Sequence, residues 1–286
     1  MLLAPAFILL LLFVYKPIYG IIIAFKDYRA IYGIWNSPWV GFKHFIQFFN
    51  SYQFMQTLKS TVTLSLYSII AGFPIPIILA LGINQMHIRA FRKVFQVSIY
   101  LPYFISTVVL VGMLLVLLSP SSGIVGHFFR LLGKEAPNIM AEPQLFAHVY
   151  VWSGVWQGAG WGSIVYLAAL AAVDPELYEA ATVDGATKMQ KIFFIDIPML
   201  IPTAIILLIL NSGNVMRVGF EKVYLLQNAR NLNVSEVIST YVYKVGLVNA
   251  QYSFSAAVGL FNNVINFIIL VAVNKIAAVV SDNSLW

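Results

Sequence analysis

The 286-residue chain contains no cysteine, so disulfides, thiolate metal sites and cysteine nucleophiles are excluded. Charge is nearly as scarce. Lys, Arg, Asp and Glu make up 10% of the residues, against about 25% in a soluble chain. Hydrophobic residues reach 60% and the mean hydropathy is +0.84. Too few polar groups remain to cover a globular surface, so membrane lipid is the expected surroundings. The net charge of +6 is spread thinly, with no basic block of the kind that binds nucleic acid. A GxxxxGK[ST] phosphate loop is missing; the nearest fragment, Gly133-Lys134-Glu135, lacks the leading glycine and the hydroxyl. HExxH, GxSxG and paired intramembrane carboxylates are missing too, which removes the constellations of an intramembrane enzyme. His44, His87, His127 and His148 lack metal-ligand spacing, so neither a metal nor a cofactor is expected in this chain.

What the chain does have is long apolar runs. A helix crossing the hydrocarbon core needs about 20 residues. Five runs without an ionisable residue meet this: Thr61–Ile83, Val94–Leu118, Val149–Val173, Ile197–Met216 and Phe254–Asn274. A sixth, Leu2–Phe25, is interrupted only by Lys16, which must snorkel or face protein because a mid-bilayer lysine costs about 2.5–3.5 kcal/mol. This run has no basic leader and no small-x-small cleavage site, so it reads as a span and not a signal peptide. Because the chain starts directly in an apolar run, a native cytoplasmic leader ahead of it is expected. Six spans put both termini on one side. The short second loop, Asn84–Lys93, holds Arg89, Arg92 and Lys93 without an acid, which favours a cytoplasmic position. Pro74, Pro76 and Pro102 are expected to kink or break their helices. Domain boundaries are expected at 1–60 (first span and loop), 61–280 (the spanning core) and 281–286 (tail).

The fourth loop, Asp174–Asp196, reads as helix–turn–helix. Asp174 is an N-cap, Pro175 fits the first helical position and Glu176 suits the N-terminal dipole. Asp184-Gly185 breaks the helix, and Ala186–Ile195 restarts it before Pro198 opens span five. The ordinary alternative is a helix lying on the bilayer surface. Such a helix wants bulky apolar residues and a basic polar face; Ala180 and Ala181 beside Glu179 suit insertion into a protein groove instead.

Glu179-Ala180-Ala181, then Gly185, Ile195 and Ile197-Pro198 at their spacing match the EAA motif of binding-protein-dependent ABC importer permeases, with Ile197 in place of the usual leucine. The motif sits between the fourth and fifth of six spans. Ala24-Phe25-Lys26-Asp27-Tyr28, Leu101-Pro102, Ala168-Ala169-Leu170 and the Asn-rich last span extend the likeness over nearly the whole chain. They resemble the carbohydrate-uptake branch, and more narrowly the Lpl-like permeases for complex oligosaccharides and polysaccharides, which include alginate-type importers. The resemblance implies an all-α fold of type I ABC permease architecture with six transmembrane helices, in the bacterial cytoplasmic membrane, with termini and motif loop cytoplasmic. It implies a non-enzymatic subunit that pairs with a second homologous permease, two ATP-binding subunits holding Mg-ATP and an extracytoplasmic solute-binding protein. It also implies that Glu179–Gln190 is the coupling helix: Glu179 meets the ATPase, Ala180 and Ala181 allow close approach, Asp184-Gly185 sets the turn, and Ile195 and Pro198 lead into span five. The loops Lys26–Ser60, Ser119–His148 and Arg217–Ser253 are expected to meet the binding protein.

The solute path is read from polar residues that burial in lipid makes costly. Asn211 and Asn214 share a face of span five. Asn262 and Asn266 share a face of span six, with Asn263 beside them. Gln157 and Trp161 follow Ser153 at helical spacing in span four, with Trp156 adjacent. Amides and indoles suit sugar hydroxyls and ring faces, although interhelical hydrogen bonding is the ordinary alternative for each amide. Arg217 either meets an anionic solute or snorkels. Gly158-Ala159-Gly160-Trp161-Gly162 reads as close helix packing. The remaining alternatives are the same machine carrying amino acids, phosphate or polyamines, and an ATP-independent channel or carrier. Five spans lack the carboxylates and histidines that proton-coupled carriers use.

Overall fold

The computed structural model describes residues 3–281, so Leu2 and most of the tail expected at 281–286 lie outside the described residues. Among the described residues there are helices and turns but no strand; one isolated bridge pairs Lys26 with Trp39. We number the main helices α1 (Ala4–Phe25), α2 (Lys43–Phe49), α3 (Tyr52–Asn84), α4 (Arg89–Phe104), α5 (Thr107–Leu117), α6 (Ile124–Leu131), α7 (Pro143–Ala171), α8 (Pro175–Val183), α9 (Lys188–Ser212), α10 (Phe220–Leu226), α11 (Ile238–Tyr243) and α12 (Tyr252–Ser281).

Four of these, α1, α3, α9 and α12, are long and apolar enough to span by themselves, and α4 with α5 makes a bent fifth. The sixth expected span is α7. At 29 residues it is long enough, but its Trp, Gly, Ser and Gln residues lower its apolarity. It is the central helix, packed on α3, α9 and α4.

The structure revises several expected boundaries. Span three is not continuous: the chain turns by 99° between α4 and α5. Pro102 lies in a tight turn just before the bend, Ile105 is extended, and Ser106 caps α5 by accepting from the Val109 N–H at 3.4 Å. Arg89, Arg92 and Lys93 lie on α4 and not in the preceding loop. Span five stops at Ser212 and not Met216; residues 213–216 unwind into turns. Lys16 is exposed on α1. Pro74 and Pro76 sit just after the break at Phe73, inside the 33 residues of α3.

Three buried apolar clusters tie the bundle together. Leu64, Val111, Phe146 and Val223 join α3, α5, α7 and α10. Phe48, Met216, Ile238 and Phe254 join α2, α11 and α12 to the end of α9. Ala80, Tyr166, Leu170 and Leu200 join the other end of α3 to α7 and α9. The glycine run on α7 allows close approach as expected at two of its positions. A Cβ at Gly160 would collide with the Ile99 carbonyl oxygen, and one at Gly162 would lie 3.3 Å from Pro76; one at Gly158 would meet nothing within 4 Å. Gly160→Leu is therefore expected to lose about 1–3 kcal/mol by overpacking, seen as a lower unfolding midpoint in detergent, whereas Gly158→Ala leaves the midpoint unchanged.

Candidate functional site

The helix–turn knob is built from local signals. Asp174 caps α8 by accepting from the Glu176 N–H at 2.9 Å, with Pro175 at the first position. At the other end the Ala186 N–H donates to the Ala181 carbonyl at 2.8 Å and the Gly185 N–H to Thr182 at 3.1 Å. This is the paired termination that needs a left-handed residue after the cap, and Gly185 supplies it with φ +76°. Thr187 and Gln190 then form a capping box that starts α9 at Lys188, two residues later than expected. The segment Glu179–Gln190 is thus two helix ends around a turn and not one helix. Glu179, Ala180, Asp184 and Gly185 are exposed at its tip, Ala181 is half-buried, and Val183 is 88% exposed. Ile195 lies in the wide π turn within α9, and Pro198 just beyond it.

Beneath the knob is a contact that the sequence did not reveal. Asp196 is fully buried, and among the described residues it takes part in no ion pair. Its carboxylate accepts instead from three neutral donors: the Tyr178 hydroxyl on α8 at 2.5 Å, Gln85 Nε2 at 2.9 Å and Asn84 Nδ2 at 3.4 Å. A buried charge requires such partners. Burial, then the hydrogen bond and charge of Asp196, push the Tyr178 hydroxyl up to about 12, so it stays a donor at every physiological pH. The carboxylate joins α8, the start of α9 and the end of α3 at one point.

Beside the middle of α3 and the far end of α9 lies a polar cleft. Two cavities, of ≈ 310 Å³ and ≈ 380 Å³, share Ser68, Gly72 and Tyr150 in their walls. Asn211, Asn214 and Arg217 line the first; Gln157, Gly158 and Lys222 line the second. Five of the expected path residues spend hydrogen bonds on interrupted backbone or on each other. Gln157 donates to the Ile105 carbonyl at the bend, 2.7 Å away. Asn266 accepts from the Met216 N–H at 2.9 Å, and Asn262 donates to the Met216 carbonyl at 3.2 Å, clamping the unwound end of α9. Asn263 accepts from Arg217 at 3.3 Å. Asn214 donates to its own helix at Leu210. Trp161 stacks on Tyr103 with ring centroids 4.6 Å apart. Trp156 lines a separate, apolar cavity with Leu110 and Met113. Among the described residues no three His, Cys, Asp or Glu side chains come together as metal ligands would.

A membrane-spanning helical bundle with a polar cleft at one end and an exposed, rigidly capped knob at the other defines a transport permease. The sequence profile of the family described as "Binding-protein-dependent transport system inner membrane component" matches residues 72–278. The chain is 40% identical to the polygalacturonan/rhamnogalacturonan transport system permease protein YteP of Bacillus subtilis (strain 168), covering 99% of this chain and 88% of that protein. It is 38% identical to Protein LplB of the same organism, covering 97% and 87%. A chain in the crystal structure of a bacterial alginate ABC transporter, in complex with an alginate pentasaccharide-bound periplasmic protein, superposes with a TM-score of 0.91 at 39% identity, over 99% of this chain and 95% of that one. The chain therefore belongs to the family of binding-protein-dependent transport system inner-membrane components, with the type I ABC permease fold.

Replacing Asp196 by leucine keeps the branched skeleton, with larger methyl groups, but leaves its donors without an acceptor, at about 1–3 kcal/mol for each one stranded. Asp196→Leu is expected to abolish uptake by the assembled transporter at normal membrane levels, and Asp196→Asn to give an intermediate loss. Undiminished uptake per inserted Asp196→Leu molecule would exclude a coupling role for this contact.

Proposed function

We propose that this chain is the permease subunit of an ATP-driven importer for complex carbohydrate. Near full-length likeness to a permease named for polygalacturonan/rhamnogalacturonan transport and to a chain of an alginate ABC transporter carries the substrate class. The exposed, capped knob supports docking to a separate ATPase. In this reading the chain lies in the cytoplasmic membrane, with termini and knob facing the cytoplasm. Two ATP-binding subunits hold Mg-ATP, and α8 inserts into a groove on one of them. A second homologous permease completes the path, and an extracytoplasmic binding protein delivers the sugar. Closure of the ATPases moves α8, and through Asp196 the helices α3 and α9, so that the cleft alternates in access. Asn211, Asn214, Arg217 and Gln157 are the path residues that line the cleft; Asn262 and Asn266 hold the unwound backbone at its edge.

The decisive experiment is ATP hydrolysis by the whole complex, reconstituted with its binding protein in proteoliposomes and tested on oligosaccharides, amino acids, phosphate and polyamines. Stimulation by oligosaccharides is expected. Stimulation by amino acids, phosphate or polyamines alone would overturn the carbohydrate reading, and uphill uptake after removal of the ATPase would overturn ATP coupling.

The φ of +76° at Gly185 is a conformation that valine adopts only under strain of about 1–2 kcal/mol. Gly185→Val is expected to reduce sugar-coupled hydrolysis severely while membrane insertion, read by surface labelling, is unchanged. Normal coupling in that variant counts against docking through α8.

A further inference from the structure

Both cations at the cleft lack a counter-charge. Arg217 lines one cavity and Lys222 the other, and no aspartate or glutamate lines either. Neither residue belongs to the ion pairs found among the described residues, Arg29–Asp27 and Lys244–Glu236. Lys222 is half-buried and firmly placed. Its Nζ donates to the Tyr150 carbonyl at 2.9 Å and lies 5.0 Å from the centre of the Tyr150 ring. The Tyr150 hydroxyl is in turn fixed by the Gly219 N–H at 3.2 Å. Gly154 leaves the room: a Cβ there would lie 3.2 Å from Nζ. An ammonium has three N–H donors and a guanidinium five, so most of the donors of both groups remain unspent on protein. Holding the half-buried Lys222 without a counter-ion is costly, and Ser68, Asn211 and Asn214 already offer uncharged partners to sugar hydroxyls. A carboxylate gains from both cations through charge-assisted hydrogen bonds.

We propose that Lys222 and Arg217 are the specificity-determining pair of the cleft, reading the carboxylates of acidic saccharides, that is, chains of uronic acid. The inference rests on the carbohydrate reading above and narrows it.

The test uses the complete transporter with its binding protein in phosphatidylcholine vesicles free of anionic lipid, so that no lipid headgroup supplies the anion. The probes are an oligogalacturonate and its fully methyl-esterified form, which keeps the backbone and removes the charge. Wild type is expected to import the acid form faster. Lys222→Met is expected to lower acid-form import roughly 10-fold or more, since hydrogen bonds to charged groups are the strong ones, and to spare the ester. Lys222→Arg is expected to restore the preference. Should Lys222→Met fail to reach the membrane, Arg217→Gln, at an exposed position, carries the same comparison. An equal fall for acid and ester would make Lys222 a packing residue and overturn the proposal. So would a wild type that imports only the ester, which leaves the carbohydrate reading intact. Import of neither probe or any other oligosaccharide would remove that reading and this inference together.

Discussion

Lipid provides no partner for a broken backbone. An unpaired N–H or C=O at membrane depth costs several kcal/mol, and beside the cleft this bundle interrupts its helices at Ile105 and at residues 213–216. Both of these interruptions are closed by side chains from other helices. Gln157 takes the Ile105 carbonyl; Asn262 and Asn266 take the carbonyl and the N–H of Met216; the Ser65 hydroxyl takes the Val215 carbonyl. The breaks make the cleft possible, because unwinding after Ser212 brings Arg217 and Gly219 to its wall. The amides that close them are what allow it to persist in hydrocarbon.

This explains which parts of the site were legible in the sequence. Every signal that forms the knob is local: Asp174 and Pro175 start α8, Gly185 ends it, and Thr187 with Gln190 starts the next helix. Such signals can be read within a few residues. The polar stripes were also legible as faces, but not what they face. Gln157 and Trp161, one turn apart, do share a face, and that face meets the bend at Tyr103 and Ile105. The Asn262–Asn266 face meets Met216. A periodic pattern fixes direction; the partner is set by packing between helices distant in sequence.

Asp196 and Lys222 show the limit from the other side. Gln85 precedes Asp196 by 111 residues, and Tyr150 precedes Lys222 by 72. Nothing near either residue announces its partner. An acid at the head of an apolar run reads as an interfacial residue, and a lysine in a long loop reads as solvated. Both are functional candidates only because the fold withdraws water from them and supplies neutral contacts in place of a counter-ion.

The two ends of the bundle are linked by the same two helices. α3 carries Asn84 at one end and the cleft residues Ser65, Ser68 and Gly72 toward the other; α9 carries Asp196 and, fifteen residues on, Asn211. At a rise of about 1.5 Å per residue these are rods of roughly 20–30 Å between the knob and the cleft. A displacement of α8 has to carry Tyr178, and Tyr178 holds both rods through one carboxylate. Moving the rods apart there breaks hydrogen bonds to a charged group, worth about 1.5–3 kcal/mol each, and opens the packing of Ala80 and Leu200 against Tyr166 and Leu170. Moving them together, along with α7 on which both pack, keeps these contacts. The lower-energy response to a push on the knob is thus joint motion of α3, α7 and α9. Pro74 and Pro76 beside the cleft on α3, and Pro202 between Asp196 and Asn211 on α9, are the positions where missing N–H groups let each rod flex.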